Sequence, residues 1–400
     1  MIKNNKLMGE WRVHETDSAE LQSFLLNHFG SSTQSTSRVV DYTRDDRPLL
    51  RLSYAKSGKL LEISTTAELT KTDIRAIGNG IESFLLAPGK EMVGRSILFA
   101  HDAVEGHFER PRDFAILPLP VDAPRPPFGH GDHPFALEFT YTGSVDAAVR
   151  ASRHARRARE LELILCALVP AFKSAGSHSI QMEWVLGRFA NNAIAASEFL
   201  QLGYHYPGDG FGQQFSPNVG IPVLGRAPAN EVYGGRRPLG PAHLPDDLEA
   251  SLDRVHQLDP LKRAKFVRAA YWLQTAGLIW HLSSSTAHVA LVSAIEALFA
   301  PVQSQPCDAC GKPIGPGPTA LFKTFIEEHL PSYVPAAVKS ELYSVRSAIA
   351  HGDRILLSDM GLAPTDHLGA EEWSLGSRLM RVVRLAAWQW LHHGRQTAAS

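Results

Sequence analysis

The strongest constraint on the fold is the point at which one hydrophobic periodicity gives way to another. Up to Leu186 the chain offers short apolar runs bounded by turn residues, whereas from Leu261 onward apolar side chains recur at helical spacing. Strand candidates dominate the first half and helices the second, which predicts an α+β protein. We therefore expect an N-terminal mixed α/β domain over 1–205, a Gly/Pro-rich connection over 206–257 and an all-α four-helix bundle over 258–400.

Within the first half, RVVDY, PLLRLSYA and KLLEISTT read as strands, the last two joined by a hairpin-like turn at Lys56-Ser57-Gly58. Ile74, Ile77, Ile81 and Leu85 predict a helix over 72–86, and further strands are expected at 96–100, 114–119, 135–141 and 179–186. The segment 206–247 carries GDGFG and GGRRPLGP but sets no glycine run cleanly between a strand and a helix, so no phosphate-binding fingerprint is expected there.

At 400 residues and 44% hydrophobic content, the chain can bury a large core. A formal net charge of -1 gives no overall attraction to nucleic acid or to an anionic membrane, so RNA binding would need a local basic surface. The N-terminus lacks the apolar core of a signal peptide, and the run 163–172 is too short to span a bilayer. Together with only three cysteines, this predicts a cytoplasmic protein without a disulfide framework.

The stretch ELYSVRSAIAHGD, residues 341–353, carries the most chemistry. Val338, Leu342, Val345 and Ile349 form one apolar stripe, Arg346 lies beside it, and His351 ends the helix if Gly352 takes the left-handed position. Histidine changes charge near neutral pH, and arginine offers a planar fork of donors suited to phosphate oxygens. The pair is a minimal kit for phosphodiester chemistry without a metal. Spacing alone says little, since Arg125 and His130 repeat it in APRPPFGHGDHP, where prolines forbid a helix. Five residues also turn a helix by about 140°, so the two side chains converge only in a groove or across a dimer.

Two other clusters stand out. The predicted helix over 146–166 places Arg150, Arg153 and Arg157 on one face, which reads either as a track for a phosphate backbone or as a solvated face balanced by Glu160 and Glu162. The His130-Gly131-Asp132-His133 loop has no second cluster to complete a metal site and is assigned no role.

AIEALF, residues 294–299, followed after an irregular insertion by LYSVRSAIAHG, residues 342–352, resembles the HEPN superfamily, and within it the Apea-like HEPN domains. The resemblance covers about a third of the chain, 258–393. It implies a four-helix bundle that forms a homodimer, so that two Arg-x4-6-His motifs face one cleft. It also implies metal-independent endoribonuclease activity, of the kind that serves in antiviral defence or toxin systems, with RNA as the partner. Carried over, Arg346 and His351 are the catalytic candidates, His351 as general acid or base and Arg346 stabilising charge on phosphate. Active members often have Asn, Asp or His after the arginine, where this chain has Ser347. The family also contains domains without cleavage, which leaves a non-catalytic dimerisation, sensor or RNA-binding module as the alternative.

Beside Ser347, two supporting positions and a candidate metal pair follow from the residues. Glu296, polar in an apolar helix, is placed to orient Arg346 by a paired hydrogen bond or else is simply exposed. Tyr343, one turn before Arg346, flanks the cleft or packs in the core. Cys307 and Cys310 form half of a tetrahedral zinc site, to be completed by Cys166, His288, His329 or a second chain, or else are two reduced thiols. Such a zinc would hold the insertion; no cofactor is expected for catalysis.

Overall fold

The computed structural model describes residues 2–4, 6–119, 133–173, 181–185, 198–202, 220–235, 240–280, 282–299, 305–306, 313–331, 333–361 and 367–393. The first element group comprises β1 (Ile2–Lys3), α1 (Lys6–Glu10), α2 (Ser18–Phe29), β2 (Ser31–Thr36), β3 (Val39–Arg44), β4 (Arg47–Tyr54), β5 (Leu60–Thr65) and α3 (Lys71–Gly80). Its antiparallel sheet runs β1-β5-β4-β3-β2. The expected turn is present, with Gly58 at φ 80° linking β4 to β5. Thr70 and Asp73 form a reciprocal capping box at the start of α3. The expected helix over 72–86 widens into a π-turn at Ile81–Leu86.

The second group is β6 (Glu91–Ala100), β7 (Phe108–Arg110), β8 (Phe114–Pro118), β9 (His133–Thr142), α4 (Ala147–Leu168) and β10 (Phe172–Lys173), with antiparallel order β10-β6-β9-β8-β7. Asp146 caps α4 by accepting from the Val149 N–H. The strand expected over 179–186 is present as Gln181–Val185, paired with Glu198–Leu202.

The helices that follow are α5 (Ala229–Tyr233), α6 (Leu248–Gln257), α7 (Pro260–Ile279), α8 (Ser284–Glu296), α9 (Pro318–His329), α10 (Ala336–His351) and α11 (His367–His393). An N-terminal sheet region therefore precedes a C-terminal helical region, a mixed α+β fold. One difference from expectation is α6, inside the stretch read as connection. Leu248, Leu252 and Val255 are buried at helical spacing there, and the glycine and proline density just upstream hid that short periodicity. No helix among the described residues is long and apolar enough to cross a membrane.

Two apolar clusters organise these elements. One contains Leu7 to Leu85 and, from outside that stretch, only Val149 among the described residues. The other is continuous from Leu98 on β6 to Leu391 on α11. The second sheet and the helices thus share a core, and the packing boundary lies near residue 87. Helix α4 serves both sides: its C-terminal half is buried almost all round, while its arginine-rich N-terminal half meets α2.

Candidate functional site

Helices α8 and α10 pack side by side, and His288 pins them together. His288 is buried and its Nε2 lies 3.0 Å from the Leu342 carbonyl oxygen, an acceptor, so that nitrogen carries the proton and donates. Burial lowers the pKa of this imidazole, which keeps it neutral. The pin sets Glu296, at the end of α8, opposite Tyr343 and Arg346 on α10.

There the three side chains join. Arg346 Nη2 donates to Glu296 Oε2 at 3.0 Å, and the Tyr343 hydroxyl donates to Glu296 Oε1 at 3.2 Å. The guanidinium carbon of Arg346 stands 5.7 Å from the centre of the Tyr343 ring, which itself packs against Phe322 at 5.3 Å. Burial pushes the Tyr343 hydroxyl above its ordinary pKa, with the Glu296 charge adding to it, so it remains a donor. Tyr343 therefore combines both readings, a packed ring and a polar tip at the site.

The Arg346 and Glu296 side chains are 24% and 23% exposed. An ion pair that wet contributes at most about 1 kcal/mol. Its main effect is orientation: Glu296 holds one edge of the guanidinium. Arg346 Nε is buried without a hydrogen-bond partner among the described residues, so the fork is not saturated. A buried unpaired donor costs stability unless a ligand, water or second chain completes it.

Helix α10 ends as its sequence predicts. Gly352 has φ 81°, its N–H donates to Ile349 at 3.0 Å, and the Asp353 N–H donates to Ala348 at 2.8 Å, a Schellman stop. His351 is the last helical residue and is exposed. It makes no hydrogen bond to Arg346 among the described residues, in keeping with the rotation between the two positions. Ser347 is partly exposed beside them.

The segment after His351 is fastened by residues that sequence reading missed. Leu356 is buried and its N–H donates to Ser285 Oγ at 2.8 Å; Glu372 on α11 accepts from Arg354 at 2.8 Å and from the Leu357 N–H at 2.6 Å. Asp359 accepts from Ser283 Oγ, Ser284 N and Ser285 N at 2.8, 2.6 and 2.9 Å, capping α8 from 75 residues away in the chain. Burial pushes the Asp359 carboxyl up, but the bonds from Ser285, Ser283 and Ser284 outweigh it and leave its pKa below the ordinary value. The serine run at the start of α8 is a local cap, whereas its acceptor Asp359 comes from a distant part of the chain.

The arginines of α4 have a different environment. Arg153 donates to Glu20 Oε2 at 2.8 Å, the Leu85 carbonyl at 2.8 Å and the Gly143 carbonyl at 3.2 Å, and its side chain is 10% exposed. Arg157 pairs with Asp113 and with Glu160 at 3.2 Å, and Arg150 reaches the Ser144 carbonyl at 3.2 Å. Each arginine of the stripe read as a phosphate track or a solvated face thus has an acceptor within the protein.

Cys307 and Cys310 lie outside the described residues, as do His130 to Asp132; His133 opens β9 opposite Ala100. Of the further zinc ligands named for Cys307 and Cys310, Cys166 sits in the core, where burial raises its thiol pKa, and His288 is committed to Leu342. His329 is buried against Phe325, ring centres 4.4 Å apart. Among the described residues no three His, Cys, Asp or Glu side chains cluster as metal ligands.

A serine, a histidine and an aspartate also meet at Ser251, His392 and Asp247, joined by Trp388 Nε1 donating to Asp247 Oδ2 at 2.7 Å. This is not a nucleophilic triad. Ser251 is fully buried, and His392 meets both Ser251 Oγ and Asp247 Oδ2 through the same Nε2, whereas relay chemistry needs opposite ring nitrogens. Comparison with family models, with characterised proteins and with solved structures gave no match.

Proposed function

We propose that this chain is a HEPN-type, metal-independent endoribonuclease of the cytoplasm that acts as a homodimer through its helical region. The observation that carries this reading is the Glu296–Arg346–Tyr343 cluster on α8 and α10, beside a helix end that presents His351. An oriented and unsaturated guanidinium fits a phosphate oxygen, and an exposed imidazole fits proton transfer. In the reaction, one imidazole takes the proton from a ribose 2′-OH, whose oxygen attacks phosphorus. The P–O5′ bond breaks and the leaving oxygen takes a proton from a second imidazole, leaving a 2′,3′-cyclic phosphate and a free 5′-OH. Arg346 offsets the charge that builds on the non-bridging oxygens. Arg346 and His351 of one copy do not share a helix face, so a dimer supplies the two imidazoles. The N-terminal region then senses a trigger or positions RNA, as a defence or toxin system would require.

The test is RNA cleavage by purified protein in excess EDTA. Intact protein should leave cyclic phosphate ends, and His351→Ala or Arg346→Ala should reduce the rate by about a hundredfold or more. One observation favours a second reading, a dimerising module without chemistry: Glu296 already neutralises Arg346. Absence of cleavage by intact protein, with dimers retained in both variants, would select that reading.

A further inference from the structure

Residues 2–86 build their own sheet and core, and the chain leaves them once, through the segment 87–90. A set of polar contacts and one apolar side chain join this unit to the rest. Val149 is the one apolar plug that enters its core from outside among the described residues. Around Val149, Glu20 of α2 is buried between two guanidiniums of α4, Arg153 at 2.8 Å and Arg156 at 2.5 Å. Asp17, the cap of α2, pairs with Arg156 at 2.9 Å. Asn27 donates to Asp146 at 3.1 Å, Ser144 donates to the Phe84 carbonyl at 3.0 Å, and Arg153 donates to the Leu85 carbonyl. Beside these contacts opens a cleft of about 990 Å³, lined by Leu85, Pro88, Gly89, Arg153 and Arg156.

We propose that residues 2–86 form a docked arm that releases as a folded unit, with Glu20 and Asp17 on Arg153 and Arg156 as its latch and 87–90 as its hinge. Three features favour release without unfolding: a core that takes one residue, Val149, from outside among the described residues, a single covalent crossing at 87–90, and charged pairs across the junction. Small polar interfaces between units of one chain open more readily than large apolar ones. An arginine fork that grips a carboxylate grips other oxyanions equally well, so the carboxylates of the arm occupy positions that an anion would otherwise take. Release carries both carboxylates away and uncovers Arg153 on α4, 10% exposed when docked, beside Arg156, which is already 53% exposed. The arm thus masks part of a cationic helix face, an autoinhibitory contact for any anionic partner of that face.

The test uses the full chain with Asp17→Asn and Glu20→Gln together, changes that keep the α2 cap and the side-chain shapes but remove both charges. Limited trypsin digestion should release an intact fragment ending at Lys90 about tenfold faster than from the unaltered protein, and small-angle scattering should show a larger radius of gyration. An unchanged cleavage rate with unchanged scattering would overturn the proposal. So would cuts scattered through 2–86 at the same rate as the cut at Lys90, because the arm would then be unfolding rather than undocking. Neither readout involves RNA, so this inference and the nuclease reading stand or fall separately.

Discussion

Arg153 sits among the arginines of α4 and Arg346 is the lone arginine on α10, and the two occupy opposite physical situations. Arg153 is 10% exposed and each of its three nitrogens has an acceptor, on both sides of the junction between the two cores. Arg346 is 24% exposed, has one carboxylate partner and buries an unpaired Nε. A saturated fork is structural glue, whereas an unsaturated, oriented one is available to a ligand. Satisfaction of donors, more than the number of positive charges, separates the two regions.

The sharpest way to break this contrast is to remove each arginine and compare stability. Arg153→Ala leaves Glu20 buried with Arg156 as its remaining partner and frees two carbonyls, so unfolding free energy should drop by about 3 kcal/mol. Arg346→Ala should change it by about 1 kcal/mol or less, because that pair is partly solvated. Urea midpoints of the two variants measure the difference directly. Equal losses would show that Arg346 is structural too and would remove the physical basis for giving it a ligand.

The sequence made the local halves of these sites legible but not their assembly. Asp146 before α4, Gly58 in the hairpin and Gly352 after α10 are local signals, and each element starts, turns or stops where they say. Glu296 stood out because it is polar within an apolar helix, and the structure bonds it to Arg346. By contrast, the α4 arginines read as a stripe because their spacing is local, while the Glu20 that Arg153 meets lies 133 residues away and the Asp113 that Arg157 meets lies in the turn before β8. Asp359 and Glu372 were invisible for the same reason: which carboxylate meets which donor is decided by tertiary packing. The join between the second sheet and the helices was equally hidden, since Gly/Pro density around 206–247 suggests a boundary that the shared core does not observe.

Acid titration sharpens the α10 side of the comparison. The folded pKa of Asp359 lies below its ordinary 3.8, so its stabilising contribution is fully present above that value and is lost as pH falls through the lower folded one. At pH 7, Asp359→Asn should cost about 2 kcal/mol through weakened charge-assisted bonds to the α8 terminus. The gap between variant and parent should close as pH falls below about 4. Thermal unfolding from pH 7 to pH 2 checks this, and a gap that stays constant would mean that the carboxylate charge does not hold the segment behind His351.

Two glycines give the smallest and most local discrimination between the regions. Gly352 has φ +81° with nothing within 4 Å of where a Cβ would stand, so Gly352→Ala meets only the left-handed backbone penalty, about 1 kcal/mol. Gly89, beside the arm, is the reverse: an added Cβ would fall 2.0 Å from the Gly143 carbonyl oxygen and 3.2 Å from Arg153 Nη1. Backbone must move there, so Gly89→Ala should cost about 2 kcal/mol and should also accelerate the cut at Lys90, because the shift displaces Arg153 from its acceptors. If Gly352→Ala instead costs as much as Gly89→Ala, the stop of α10 is strained by neighbours rather than merely shaped by its own backbone. His351 would then sit in a packed environment, which is the wrong setting for an imidazole that must meet a phosphodiester.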